Sequence, residues 1–179
     1  MTQLINRNSS GVYIIAATPF KENGSVDLYS TDHMIEFYLE KGVDGITILG
    51  VMGEAPKLTE SESQEFADRV IARVNGRVPV VVGVTNPGID AMRRFSQSVM
   101  QSGAAGVMIA PIPGLLTELK QCNYFQQVCE MLGPNIPICL QDYPVANGVQ
   151  FGVETILKLT TELSQIVMFK HEDWPGLNK

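Results

Sequence analysis

Short runs of β-branched and apolar residues recur along the chain at intervals of roughly thirty residues, and a helical pattern follows each run. This alternation is typical of βαβ units with a parallel sheet. The runs carry no alternating polar residues, as expected for strands whose two faces are both covered. Six strands are predicted, at residues 12–17, 45–49, 78–84, 106–110, 137–140 and 166–169.

Capping residues mark the helices between these strands. Asp27 precedes the first helical pattern, and Thr59 with Glu62 has the spacing of a capping box. Glycines that can end a helix in the left-handed conformation follow three of the patterns, at Gly42, Gly76 and Gly103. Strands and helices are therefore predicted to alternate along a single domain of residues 1–179.

Composition argues against several classes of function. The chain of 179 residues is 45% hydrophobic, has a formal net charge of −6 and contains no run of Lys or Arg, so no nucleic-acid surface is expected. No apolar run approaches the length of a membrane span, and the N-terminus lacks the apolar stretch of a signal peptide. We therefore expect a cytoplasmic protein that does not enter a membrane.

Residues that bind metals are scarce. The chain has 3 Cys and 2 His and lacks a CxxC motif, so a zinc cluster is not expected and only carboxylates could hold a metal. Cys122, Cys129 and Cys139 are interpreted as buried free thiols.

Two architectures use repeated βα units: the open doubly wound sheet and the (β/α)8 barrel of roughly 250 residues. In a doubly wound nucleotide-binding protein, a glycine-rich phosphate loop follows the first strand. Residues 18–24, Thr-Pro-Phe-Lys-Glu-Asn-Gly, contain neither GxGxxG nor GxxxxGK[ST]. This favours the barrel, in which the carboxyl ends of the strands converge on one site.

The candidate site residues come directly after predicted strands. Thr18 follows the first strand, the loop 50–54 the second, and residues 141–143 the fifth. Lys170 ends the sixth strand, after the apolar residues 166–169. Burial disfavours the charged form of a lysine, and a neutral amine can attack a carbonyl. Lys170 is therefore the candidate nucleophile; the alternative is that its stem packs on apolar surface while the ammonium group reaches solvent.

Several short motifs give the chain a resemblance to a known family. They are Thr18-Pro19-Phe20 with Gly24, the loop 50–54 with Leu58-Thr59, residues 79–84, Gly103-Ala104 with Gly106, Ala110-Pro111, and Pro144 with Gly148. Together they resemble the dihydrodipicolinate synthase and N-acetylneuraminate lyase family of pyruvate-type class I aldolases. The resemblance implies an α/β fold of the TIM (β/α)8-barrel type, with the first six βα units in this chain, and a homo-oligomer, either a tetramer or a dimer.

The same resemblance implies chemistry at Lys170. In the family, a strand-six lysine forms a Schiff base with the keto carbon of a pyruvate-like 2-oxo acid, and Lys170 falls on that position. The reaction would be a carbon–carbon cleavage or condensation, or a dehydration, with no metal and no organic cofactor. The candidate substrate-binding residues of this chain are Thr18, Gly50, Val51, Met52, Gly53, Glu54, Gln141 and Asp142.

The sequence departs from the family pattern at several positions. Val51 and Met52 stand where the family has hydroxyl residues, which leaves the backbone amides of the loop to hold a substrate carboxylate. Gln141 replaces a proton-relay tyrosine, and Tyr143, two residues further on, is the candidate substitute. Ala146 replaces the synthase's arginine, so an enzyme other than dihydrodipicolinate synthase is expected.

Other side chains near Lys170 are candidates for moving protons: Asp142, His171, Glu172 and Asp173. By strand alternation, His171 is expected to face the helix layer. Glu172 and Asp173 could instead be solvated loop acids, and a lyase that binds a metal through both is a further, weaker alternative.

The sequence ends at Lys179, soon after the candidate nucleophile. Because strands seven and eight of the family's barrel are missing, the first and sixth strands are expected to have unpaired edges. The alternative to a Schiff-base lyase is therefore a catalytically silent truncated barrel fragment or a binding protein.

Overall fold

A computed structural model describes residues 3–177 and 179 of the chain. It has one parallel sheet of six strands in the order β1-β2-β3-β4-β5-β6, curled into a half-barrel. The strands are β1 Tyr13–Ile15, β2 Gly45–Ile48, β3 Val80–Gly83, β4 Gly106–Ile109, β5 Ile138–Asp142 and β6 Ile166–His171. All six predicted strands are confirmed, and the fold is that of the first six βα units of a TIM barrel.

Helices alternate with the strands. They are α1 Leu28–Glu40, α2 Glu60–Val74, α3 Ile89–Ser102, α4 Glu118–Leu132, α5 Pro144–Asn147 and α6 Val153–Glu162, with a 3-10 turn at Ala55–Lys57. The Asp27 side chain caps α1, and Thr59 and Glu62 form the predicted capping box of α2. None of the described helices is both long enough and apolar enough to cross a bilayer.

The sheet separates two hydrophobic clusters. The larger cluster lies between the strands and the helices and includes Phe66, Phe125 and Leu140. The smaller cluster contains Ile5, Val81, Ala105, Met108 and Cys139, and no helix contributes to it. We call its side of the sheet the inner face and the helix side the outer face. The Ile5 amide donates to the Ala105 carbonyl at 2.9 Å, so the N-terminal segment covers the amino end of the inner face.

The strands at the edges of the sheet differ from the central ones. Every residue of β2, β3, β4 and β5 is buried, whereas those of β1 and most of those of β6 are only partly buried. Among the described residues, β1 pairs only with β2, and β6 only with β5. The predicted unpaired edges are therefore present in the part of the chain that the structure describes.

A β-bulge interrupts the pairing of β5 with β6. Ile138 pairs with Ile166, but the next pair is Cys139 with Met168, so Val167 is an extra residue in β6. Beyond the bulge, Gln141 pairs with Lys170. Because one added residue reverses the alternation of side chains, the bulge turns Lys170 to the inner face.

Candidate active site

The loop after β2 is a tightly turned segment. Leu49 and Glu54 both have positive φ angles, 54° and 55°, which are uncommon for residues with a side chain. A Cβ atom on Gly83 would lie 2.0 Å from the Leu49 carbonyl oxygen, so the turn requires glycine in the neighbouring strand. The buried Thr18 hydroxyl donates to the Gly53 carbonyl at 2.6 Å and fixes the loop to the end of β1.

The side chains of the loop after β2 point to solvent or contact each other rather than the other predicted site residues. Val51 and Met52 are largely exposed, and the Glu54 carboxylate forms an ion pair with Lys57 at 2.5 Å. The backbone amides of the loop are better placed to bind a ligand than its side chains are. The amides of Val51 and Met52 donate no hydrogen bond to any residue that the structure describes. The loop therefore offers free N–H groups rather than side-chain donors.

A cavity of about 880 Å³ opens at the carboxyl ends of β2 to β5. Gly50 and Val51 line it on one side, and Gln141 and Tyr143 on the other. Its size is in the range of small-molecule sites in proteins. Tyr143 shares the cavity with Gln141, although no hydrogen bond connects it to Lys170 within the described residues.

Three polar side chains meet on the inner face at the ends of β5 and β6. The Lys170 Nζ atom donates to Oε2 of Glu172 at 2.8 Å, and Nε2 of Gln141 donates to the same oxygen at 2.7 Å. The side chains of Lys170 and Glu172 remain 20% and 31% exposed. This inner polar cluster of Gln141, Lys170 and Glu172 places a carboxylate on the amine, where solvent and small molecules can reach both.

Cys139 lies two residues before Gln141 on β5 and also faces the inner side of the sheet. Burial raises the pKa of its thiol to about 12. The thiol is therefore neutral at physiological pH, and Lys170 has no competing nucleophile at this position.

A second group of polar side chains lies on the outer face of the same strand ends. Nδ1 of His171 lies 3.1 Å from Oδ2 of Asp142, and the Lys179 ammonium group lies 2.9 Å from that oxygen and 2.8 Å from Oδ2 of Asp173. The Asp142 side chain is completely buried. We call Asp142, His171, Asp173 and Lys179 the outer polar cluster.

Hydrogen bonds shift the proton affinities in the outer polar cluster. The pKa of His171 is raised, first by its bond to the Gly176 carbonyl and then by the Asp142 carboxylate. The pKa of Asp173 is lowered, chiefly by the hydrogen bond from Lys179. Both shifts favour the charged forms of these side chains.

The structure groups the predicted site residues differently from the sequence. It brings Gln141 and Lys170 together but turns Asp142 to the outer face, because neighbouring strand residues point to opposite sides. The prediction that Asp142 lies with the substrate-binding residues is corrected in this respect. Glu172, one of several candidates for proton transfer, is the acid that contacts Lys170.

Glu172 and Asp173 also lie in different clusters. Glu172 contacts Lys170 and Gln141, whereas Asp173 contacts Lys179 and Gln150. No group of three or more His, Cys, Asp or Glu residues suited to a metal occurs among residues 3–177 and 179. Glu172 and Asp173, the two acids of the alternative metal-dependent lyase, therefore do not lie together as a metal site in this structure.

The sequence matches the family model of the dihydrodipicolinate synthetase family over residues 8–173. A crystal structure of dihydrodipicolinate synthase from Rhodopseudomonas palustris superposes with a TM-score of 0.95 at 42% identity, covering 99% of this chain and 58% of that one. The probable 2-dehydro-3-deoxy-D-pentonate aldolase of Escherichia coli K12 is 28% identical over 162 residues, 90% of this chain and 53% of the aldolase.

A further similar structure holds a ligand. It is a prophage protein of the dihydrodipicolinic acid synthase family from Escherichia coli K12, in complex with pyruvate. Its TM-score is 0.82 at 28% identity, covering 89% of this chain and 53% of that one. The present chain thus spans about half the length of the curated relatives it matches.

Proposed function

Because the chain belongs to the dihydrodipicolinate synthetase family, we propose that Lys170 forms a Schiff base with a pyruvate-like 2-oxo acid. Similar proteins include a synthase and an aldolase, so a lyase is the activity expected at family level. The observation that carries the proposal is the Glu172 carboxylate 2.8 Å from the Lys170 Nζ atom, at the open carboxyl end of the half-barrel. A similar protein bound to pyruvate supports the choice of substrate class.

The chemistry follows from this contact. Glu172 accepts a proton from the Lys170 ammonium group, and the neutral amine attacks the keto carbon of the 2-oxo acid. Glu172 then returns the proton to the carbinolamine hydroxyl, which leaves as water and generates an iminium ion. The iminium withdraws electrons, and either a carbon–carbon bond is cleaved or formed, or a second molecule of water is lost, through an enamine.

The remaining predicted residues have supporting roles in this proposal. The free amides of Val51 and Met52 are the candidates for binding the substrate carboxylate. Gln141 orients Glu172 through its 2.7 Å hydrogen bond, and Tyr143, which lines the cavity, is the candidate second proton donor. With Val51, Met52, Gln141 and Ala146 at these positions, we expect a reaction other than that of dihydrodipicolinate synthase.

Covalent capture tests the proposal directly. The chain is incubated with pyruvate and borohydride, which reduces the imine to a stable amine, and the adduct is located by peptide mass spectrometry. We expect an adduct on Lys170 that is lost in Lys170→Met and retained in Lys158→Met, a matched change of an exposed lysine on α6.

An unchanged mass with a panel of 2-oxo acids would contradict the proposal. The silent fragment or binding protein would then be the better description, and it has its own motivation in the apolar side chains of Val51 and Met52. A homo-oligomer and a cytoplasmic location remain predictions, which size-exclusion chromatography and cell fractionation test.

A further inference from the structure

We propose that Asp142 and His171 are positioning residues that hold Lys170 and Glu172 together from the outer face of the sheet, and that the doubly protonated imidazole is the form that does so. The proposal rests on the function proposed for Lys170. It assigns a role to the outer polar cluster, which the Schiff-base chemistry does not use.

The backbone connects the two faces directly. His171 lies between Lys170 and Glu172 in the chain, and Asp142 follows Gln141. The Glu172 amide donates to the Asp142 carbonyl at 2.8 Å, at the last row of the β5–β6 ladder. A displacement of His171 therefore moves both ends of the Lys170–Glu172 contact.

Both nitrogens of the His171 ring face hydrogen-bond acceptors. Nδ1 lies 3.1 Å from the Asp142 carboxylate, and Nε2 lies 2.9 Å from the Gly176 carbonyl oxygen. A neutral imidazole carries a single N–H group and can donate to only one of them. The imidazolium donates to both, so loss of its proton breaks one of the two hydrogen bonds, either to the Asp142 carboxylate or to the Gly176 carbonyl.

The charged groups around His171 act in opposite directions, because the Asp142 carboxylate raises its pKa and the Lys179 ammonium group lowers it. Asp142 of β5 contacts the ring, while Lys179 and Asp173 of the carboxy-terminal segment complete the cluster. Phe169 of β6 stacks on the ring at a centroid distance of 5.7 Å. Oδ1 of the buried Asp142 has no hydrogen-bond partner among the described residues, so its charge is balanced through Oδ2, by His171 and Lys179.

The experiment follows two quantities across a pH series that brackets the ordinary imidazole pKa of about 6.5. One is the rate of borohydride capture of pyruvate at Lys170, and the other is the protonation of His171, observed by NMR of the ring. We expect the capture rate, normalised to that of His171→Gln at each pH, to fall about tenfold as His171 loses its proton, because small displacements of reacting groups are costly.

Variants that change the charge near His171 should shift the pH at which the capture rate has fallen halfway, each in a predicted direction. Asp142→Asn removes the negative charge that raises the pKa of His171, so the midpoint moves to lower pH. Lys179→Met removes the positive charge that opposes it, so the midpoint moves to higher pH. If Asp142→Asn does not fold, Lys179→Met still carries the test.

Two results would overturn the inference. One is a midpoint of the capture rate that does not shift with the His171 titration in the charge variants. The other is a His171→Gln protein in which the capture rate and the melting temperature are both lowered, by the same amount at every pH. A second readout separates this inference from the proposed function: acetylation of Lys170 by acetic anhydride, relative to Lys158. Acetylation that follows the His171 titration without any pyruvate adduct means that the positioning stands and the Schiff-base proposal fails.

Discussion

The inner and outer polar clusters occupy the same two strand ends and contain the same kinds of groups, yet their environments differ. In the inner cluster, Lys170 and Glu172 are each partly exposed, and Gln141, which donates to Glu172, lines a cavity large enough for a small molecule. In the outer cluster, the acid Asp142 is fully buried, and it contacts Lys179, which is 11% exposed, and His171, which is 33% exposed. Accessibility, not residue type, separates an acid that can exchange protons with a ligand from one that stabilises the fold.

The largest effect expected from this difference is on chemistry at the inner face. Glu172→Gln should slow capture of pyruvate at Lys170 by about 100- to 1,000-fold, since a positioned acid–base group contributes on that order. The free energy of unfolding should change by less than about 1 kcal/mol, because the pair is partly exposed. Quenched-flow capture and urea denaturation measure the two effects, with the exposed Glu65→Gln as the control. If Glu172→Gln lowered the free energy of unfolding as much as a change of Asp142 does, the two clusters would not differ in role.

The corresponding change at the outer face should act on stability. Asp142→Ala leaves His171 and Lys179 without their buried partner and should lower the free energy of unfolding by about 2–3 kcal/mol. Urea denaturation of this variant beside Glu172→Ala measures the contrast. If Asp142→Ala and Glu172→Ala unfold at the same urea concentration, the burial of Asp142 does not make it more important for stability than Glu172.

A smaller effect concerns the orientation of Glu172. Gln141→Leu removes a donor to its carboxylate and should slow capture about 3- to 10-fold, corresponding to one hydrogen bond. The control is Gln126→Leu, an exposed glutamine that bonds to a carboxylate on α4. A capture rate equal to that of the wild type would show that Glu172 holds its position without Gln141.

The smallest expected effect is the dependence of stability on pH. The pKa of His171 is raised in the folded chain, so its contribution is fully present below the unfolded value of about 6.5 and is lost as the pH rises through the folded value. The free energy of unfolding should therefore decrease across this window in the wild type but not in His171→Gln. Urea denaturation at a series of pH values tests this, and an identical step in the variant would assign it to another group.

Much of the fold could be predicted because its signals are local. Strands covered on both faces are composed of apolar residues, so the six runs were visible in the sequence, and the caps at Asp27 and Thr59 depend on residues within one turn. The site could be predicted only in part. Lys170 was found from its place after an apolar run, whereas the bond of Lys179 to Asp142 joins residues that are distant in sequence.

The faces of the site residues were harder to predict. Alternation alone would have separated Asp142 from Gln141, and it did assign His171 to the side opposite Lys170. The choice of Glu172 over Asp173 needed the structure, because both follow the end of β6, where alternation no longer applies. The sequence also gave no sign of the bulge at Val167, which no glycine or proline marks.

That bulge has a consequence for how such a site can evolve. Val167 is the one residue of β6 that the pairing with β5 skips, so its deletion would leave Met168 opposite Cys139 and Lys170 opposite Gln141 in an unbroken ladder. The amine would then stay on the inner face. If β6 instead kept Val167 and paired with β5 without a bulge, Lys170 would lie opposite Asp142, on the helix side of the sheet. The face of the lysine therefore depends on where the ladder is interrupted, and this strand can lose a residue at Val167 without losing its site.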